Sequence, residues 1–325
     1  MAAHVRFAFS AGDVARTRFA VSPLWEVVAS VRAFQTAAGR SVHRRWRDEV
    51  APRLAAAGLD SGLLVDLVPP DGYLPDFITP PPVASAGLDG ELREVAATPA
   101  SEVRRELAEY GLRTARIEAM FHDPAAGLAR LADEISGYWQ LAMAPYWPKV
   151  RTILEADVFH QARRLASDGA EAVLDDLHPS VRWGANTLTV AGSVCHIGAD
   201  LGGRGLVLVP TVFAWSSVHT TAAPPATKQL FYPSRGLGSV WERDRAAVPD
   251  AVAAVIGRTR ALLLAELAVP ASTSELAGRT GLSAAGVNQH LTALRDAGII
   301  SAHRAGRSVL YMRTAVAESL LAASA

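Results

Sequence analysis

The stretch LSAAGVNQHLTALRDAGII, from Leu282 to Ile300, combines amide, hydroxyl and small side chains at helical spacing. Val287, Leu291 and Leu294 repeat at intervals of four and three residues and predict one buried face. An amide side chain can bond two atoms of an adenine edge, and a small apolar side chain can contact a thymine methyl group. The other face therefore has the chemistry to recognise base edges; its residues are Ala284, Ala285, Asn288, Gln289, Thr292 and Arg295.

A second group of polar residues lies in the segment LEADVFHQARR, which contains Glu155, Asp157, His160 and Arg164. A metal site normally needs three or four convergent ligands, and this segment offers one histidine with loosely spaced carboxylates. We interpret the group as a solvated helix face or a structural ion pair. The sequence predicts no metal site and no cofactor.

No pattern typical of an enzyme nucleophile or a phosphate loop is visible. Cys195 is the only cysteine, and the adjacent His196 would point to the opposite face of a strand. The glycines of GGRGL, from Gly202 to Leu206, precede an apolar strand and lack a following GK[ST], so we predict a tight turn there. We predict that the protein is not an enzyme, although an activity in the N-terminal region remains the alternative.

Composition limits the classes of protein that the chain can represent. Its 325 residues suffice for two or three domains, and half of them are hydrophobic. No apolar run is long enough to span a membrane, and the start MAAHVRFAFS lacks the features of a secretory signal. We expect a cytoplasmic protein without membrane association. The formal net charge is zero, so affinity for nucleic acid would have to come from a local basic patch.

The elements of residues 1–245 predict a mixed α+β domain, mainly helical. The run from His4 to Phe9 alternates like a half-buried strand, and Ser22-Pro23 begins an amphipathic helix. Six prolines between Leu67 and Val83 predict an extended loop. Residues 100–172 are rich in helix, and a small antiparallel sheet is predicted from the short segments VRWGANTLTV, SVCHIG, GRGLVLVPTVFAW and KQLFYP.

Aromatic side chains of this domain form a candidate pocket for a small-molecule effector, with ordinary core packing as the alternative. A DNA-binding domain needs far fewer residues than the chain has, so residues 1–245 are expected to mediate dimerisation and are the candidate region for effector binding. The candidate pocket residues are Trp139, Trp147, Trp183, Phe213 and Trp215.

Residues 246–325 predict a helix-turn-helix followed by a two-stranded hairpin. Ser272 and Glu275 have the spacing of a capping box, and Gly281 and Ser283 suit a tight turn and the next helix cap. Beyond Ala297-Gly298, two β-like runs flank the basic tip Arg304-Ala305-Gly306-Arg307. From Ser283 to Arg313, four arginines at positions 295, 304, 307 and 313 stand against the single acid Asp296, which gives 4 − 1 = +3 for that stretch.

Roughly the last 70 residues resemble the winged helix of ArsR/SmtB-type bacterial transcriptional regulators. The stretch LAGRTGLSAAGVNQHLTALRDAG carries the family's pattern. The resemblance implies homodimeric binding to double-stranded operator DNA, usually with repression. It places DNA contacts mainly on the helix that begins after Ser283, called the recognition helix, and on the hairpin with the tip Arg304 to Arg307, called the wing. The candidate DNA-binding residues are Thr273, Ser283, Ala285, Asn288, Gln289, His290, Thr292, Arg295, Arg304, Arg307 and Ser308.

The sequence departs from the family at its metal-sensing positions. ELAGRTG contains no cysteine pair, and the last helix, TAVAESLLAASA, lacks the Asp and His ligands of the zinc type, so metal sensing is not expected. Use of the winged helix for protein contacts alone stays open as an alternative. The first 245 residues resemble the uncharacterised domain that precedes such winged helices in actinobacterial regulators; the stretches that carry this resemblance include GYLPDFITPPP, YWQLAMAPYWPKV and LFYPSRGLGSVWE.

Overall fold

The protein divides into two compact units, Met1–Trp241 and Glu242–Ala325. The sequence placed the boundary between residues 245 and 246. The computed structural model describes residues 4–36, 43–82, 87–110, 114–192, 197–214, 218–221, 227–235, 250–267, 270–305 and 308–322.

Helices make up most of the described part of the first unit, and local signals begin several of them. Ser22 caps α2 by accepting a hydrogen bond from the Trp25 amide at 2.9 Å, and Pro23 follows as its first residue. The α-helices are α1 (Ala11–Arg16), α2 (Pro23–Gln35), α3 (Arg44–Ala56), α4 (Leu63–Leu67), α5 (Gly87–Ala96), α6 (Ala100–Tyr110), α7 (Ala115–His122), α8 (Pro124–Tyr138) and α9 (Trp147–Asp175).

The strands of the first unit form two four-stranded sheets. They are β1 (His4–Ala8), β2 (Arg18–Phe19), β3 (Val181–Gly184), β4 (Thr187–Ala191), β5 (Ile197–Asp200), β6 (Val207–Thr211), β7 (His219–Thr221) and β8 (Gln229–Pro233). One sheet has the order β3-β4-β1-β5 and the other the order β2-β6-β8-β7. The predicted α+β class is confirmed.

Parallel pairs occur in both sheets beside the antiparallel ones. β1 is parallel to β5, and β6 is parallel to both β2 and β8. The sequence did not predict these parallel pairs, because a short apolar run does not indicate the direction of its partner. Two of the strands, β1 and β2, come from the N-terminus, so each sheet joins segments that are far apart in the sequence.

The two faces of the second sheet pack on different hydrophobic clusters. The larger cluster joins the helices to one face of the second sheet through Val207, Val209 and Phe231. The smaller cluster contains β1, β4 and the opposite face of the second sheet, where Leu208 and Leu230 lie. The alternation of side chains along β6 and β8 therefore separates the two clusters.

The predicted turn at Gly202 to Leu206 is present, and it wraps around a buried carboxylate. Asp13 Oδ1 accepts a hydrogen bond from the Gly205 amide at 3.1 Å. A Cβ atom at Gly205 would lie 2.5 Å from the backbone carbon of Arg16. Glycine is required there because the two backbones approach too closely for any side chain.

The second unit forms around a separate hydrophobic cluster that includes Leu263, Leu276, Leu291 and Ile300. Its elements are α10 (Asp250–Ile256), α11 (Arg258–Glu266), α12 (Thr273–Thr280), α13 (Ala284–Asp296), β9 (Ile300–Ala305), β10 (Ser308–Arg313) and α14 (Ala315–Ala322). Strands β9 and β10 pair as an antiparallel hairpin directly after α13. Across the described ranges of the whole chain, no helix combines the length and apolar character needed to cross a membrane.

Candidate nucleic-acid interface

Helix α12 begins at a complete capping box, as its sequence predicted. Ser272 Oγ accepts from the Glu275 amide at 3.3 Å, and Glu275 Oε2 accepts from the Ser272 amide at 2.7 Å. The helix ends at Gly281, whose φ of 71° lies in the left-handed region that favours glycine. Two local signals thus fix both ends of the helix that precedes α13.

Helix α13 has the two faces that the sequence indicated. Ser283 caps it by accepting from the Gly286 amide at 3.2 Å, while Val287, Leu291 and Leu294 are buried. The other candidates from the sequence differ in exposure: Ala285, Asn288, Gln289 and Arg295 are exposed, whereas His290 and Thr292 are partly buried, as is Thr273 on α12. The side chains most available to a base edge are therefore the two amides.

The hairpin of β9 and β10 has the form of a wing. Arg304 lies opposite Val309 near the tip, and its side chain is exposed. The predicted contact Arg307 lies outside the described residues. Ser308 pairs with Ala305 through the backbone at the first rung of β10.

The arginines of the second unit lie in different environments. The charge count from the sequence treated all of them alike. Arg295 donates to Asp296 Oδ1 from Nε at 3.2 Å and from Nη2 at 2.9 Å. The Arg313 side chain is only 14% exposed and donates to the backbone carbonyls of Leu264 and Ala265. The surplus of three positive charges is thus not a uniform surface patch, because Arg313 is directed into the unit.

The aromatic residues predicted for an effector pocket are spread over both clusters of the first unit. Trp139 and Trp147 meet edge to face with ring centroids 5.1 Å apart. Phe213 is buried against Trp46 at 4.8 Å, whereas Trp183 packs on Phe9 at 5.0 Å in the other cluster. Trp215 lies outside the described residues. The four described aromatic residues therefore do not line one common pocket, because the two faces of the second sheet separate them.

The polar group at LEADVFHQARR includes an internal anchor. Asp157 is buried, and its carboxylate accepts from the Tyr232 hydroxyl at 2.7 Å and from the Arg235 amide at 3.0 Å. Arg235 Nη1 lies 2.7 Å from His160 Nε2. These bonds attach α9 to the end of β8. No cluster of three or more potential metal ligands occurs among the residues that the structure describes.

Three buried glutamates of the first unit were missed by the sequence analysis. Burial raises the pKa of Glu26 to about 8, and it raises the pKa values of Glu91 and Glu106 to about 7. Glu26 accepts from the Val212 amide, Glu91 from the Leu24 amide and Glu106 from the Phe77 amide. A signal for Glu26 was its position inside the apolar run LWEVVASV; Glu91 and Glu106 lie on amphipathic helices, where no such signal exists.

Comparison with known proteins supports the assignment of the second unit. The family model described as winged helix-turn-helix DNA-binding matches residues 269–301, from just before α12 to the start of β9. No curated protein matches the chain, and neither does any solved structure. The chain thus carries a winged helix-turn-helix, a DNA-binding domain typical of transcription regulators.

Proposed function

We propose that the protein is a sequence-specific transcriptional regulator that binds operator DNA as a homodimer and acts as an effector-responsive repressor. The observation that carries the proposal is the two-faced character of α13. Its apolar residues are buried in the second unit, while Asn288 and Gln289 are exposed one after the other on the opposite face. An exposed helix without function would more commonly carry lysine and glutamate.

We infer groove binding from the size of an α-helix and the chemistry of its exposed face. The major groove of B-DNA admits one α-helix, and the exposed amides of α13 suit hydrogen bonding to adenine. The wing would lie beside this groove, where exposed Arg304 can neutralise a backbone phosphate. Candidate contacts to bases and to phosphates therefore lie on two different elements, which lets mutagenesis separate the two.

Homodimerisation is proposed because one recognition helix covers only a few base pairs. Two copies related by a twofold axis would place two α13 helices in successive major grooves, about 10 base pairs apart. The first unit is large enough to supply both a dimer interface and an effector site. The ArsR/SmtB resemblance of LAGRTGLSAAGVNQHLTALRDAG supports repression as the outcome.

A binding assay on the full chain tests the regulatory part of this proposal. Fragments from the promoter of its own gene would be titrated with purified protein, with and without a small-molecule extract of the source cells. We expect a complex whose mass corresponds to two chains per fragment, and an affinity that changes when extract is added. A complex with one chain per fragment would contradict the homodimer, and an affinity indifferent to extracts from several growth conditions would contradict effector control.

A further inference from the structure

Arg313, the last residue of β10, connects the wing to helix α11. Its Nε donates to the Leu264 carbonyl at 2.7 Å, and its Nη2 donates to the Ala265 carbonyl at 2.6 Å. Both acceptors belong to the last turn of α11, which ends at Glu266. Carbonyls in the last turn of a helix lack partners within the helix and carry its negative dipole end. A guanidinium with two parallel donors satisfies both requirements at once.

A second attachment holds the same strand close by. The Tyr311 amide donates to the Ala271 carbonyl at 2.9 Å, and the Ala271 amide donates to the Tyr311 carbonyl at 3.1 Å. Ala271 directly precedes Ser272, the residue that caps α12. Strand β10 is thus joined both to the end of α11 and to the start of α12. Two hydrogen bonds thus hold the base of the wing to the end of α11, and two more hold it to the residue before the α12 cap.

Arg304 lies far along the hairpin from this attachment. Arg313 lies opposite Ile300, and Val309 lies opposite Arg304. The two rungs are four residues apart along β10, which corresponds to about 13 Å at the rise of an antiparallel strand. A rotation of the hairpin about Arg313 therefore displaces the Arg304 rung by about 2 Å for every 10°, which is enough to lengthen a contact with a phosphate beyond hydrogen-bond distance.

We propose that Arg313 is a positioning residue, which holds the wing at the angle where Arg304 reaches the DNA backbone without touching DNA itself. This inference rests on the proposed function, in which Arg304 binds a phosphate. Of the four arginines between Ser283 and Arg313, Arg313 would thus act within the second unit and not by contacting DNA.

A double-mutant cycle with Arg313→Met and Arg304→Ala tests the proposal on the full chain. Methionine keeps a long unbranched side chain and removes the guanidinium. We expect Arg313→Met to weaken operator binding about fivefold and by no more than Arg304→Ala does, because it acts through the single phosphate contact of Arg304. In the Arg304→Ala background the same change should have almost no further effect, because the contact that it positions is already gone. Independent, multiplying effects of the two changes would overturn the proposal.

Hydrogen exchange on the free protein provides the structural control. Arg313→Met should accelerate exchange of the Tyr311 and Ala271 amides and leave that of the buried Leu291 on α13 unchanged. If the methionine variant opens the whole unit, Arg313→Lys takes its place in the cycle, since lysine keeps a charge beside the end of α11 but cannot bond both carbonyls in the same geometry. The lysine variant should couple to Arg304→Ala in the same way, and the absence of coupling would overturn the proposal.

Glu318→Gln serves as a matched control, because Glu318 lies 3.9 Å from Arg313 Nη1 and is largely exposed. Its removal should leave operator affinity within twofold, as expected for an exposed ion pair; a loss as large as that of Arg313→Met would assign the effect to charge instead of to the two carbonyls. A wild-type protein that binds no operator would overturn the proposed function, whereas binding that is lost in Arg304→Ala but does not couple to Arg313 would overturn only this inference.

Discussion

The two units differ in where their most informative polar side chains lie. In the first unit, Glu26, Glu91, Glu106 and Asp157 are buried and bond to backbone amides, so polar groups there attach one element to another. In the second unit, the amides of α13 and the arginine of the wing are directed to solvent. The difference indicates where a macromolecular ligand can bind: polar groups that bond to their own chain stabilise the fold, while exposed ones in a fixed pattern can recognise a partner.

The largest expected effect concerns a buried acid of the first unit. Because the pKa of Glu26 is raised from 4.5 to about 8, the folded protein keeps a proton that the unfolded chain releases. The stability that this proton supplies is full below pH 4.5 and is lost as the pH rises towards 8. Relative to wild type, Glu26→Gln should therefore gain several kcal/mol in free energy of unfolding between pH 5 and pH 8.

Urea unfolding followed by tryptophan fluorescence measures this change, because all seven tryptophans lie in the first unit. Other buried groups also titrate; burial lowers the pKa of His43 to about 4, for example. Comparing the variant with wild type at each pH cancels the contributions of such groups, including Glu91, because both proteins contain them. A difference that is constant across this pH range would show that Glu26 does not titrate as the structure indicates.

The second prediction concerns the buried face of α13. Leu291 is fully buried, and Leu291→Ala should lower the free energy of unfolding of the second unit by about 2 to 5 kcal/mol. Exposed Gln289 on the same helix provides the control, since its replacement by alanine should change stability by less than about 0.5 kcal/mol. Amide exchange along α13 measures both. Equal effects would mean that the helix does not have the two faces described.

The third prediction concerns the exposed face of α13, where a substitution should affect DNA recognition and not stability. Asn288→Ala should leave stability almost unchanged and reduce discrimination between the operator and a version altered at one base pair by about 1 to 3 kcal/mol. Fluorescence anisotropy with the two duplexes measures the difference. Retention of full discrimination in the variant would place base recognition elsewhere on the helix.

The smallest effect is expected at the wing. Arg304→Ala should weaken binding to every DNA sequence to the same extent and reduce the slope of log affinity against log salt concentration by about one. Anisotropy titrations between low and moderate salt provide the slope. An unchanged slope would mean that Arg304 neutralises no phosphate.

Local signals in the sequence predicted the second unit better than the first. The capping box at Ser272, the glycine at 281 and the two β-like runs of the wing are each signals within a few residues, and the family model matches the helix-turn-helix that they predict. The first unit depends on pairings between distant segments, such as β1 with β5 and Asp157 with β8. No local pattern encodes them. The contacts of Arg313 could not be predicted either, because its two acceptors lie 49 and 48 residues away in the sequence.

The claim that the second unit recognises DNA sequence is tested most directly by selection from random duplexes with the purified full-length chain at moderate salt. We expect enrichment of an inverted repeat whose half-sites lie about 10 base pairs apart. The same selection with Asn288→Ala should enrich that motif less strongly. Recovery of duplexes without any shared motif, by a protein that is folded and stable in the assay, would contradict the claim.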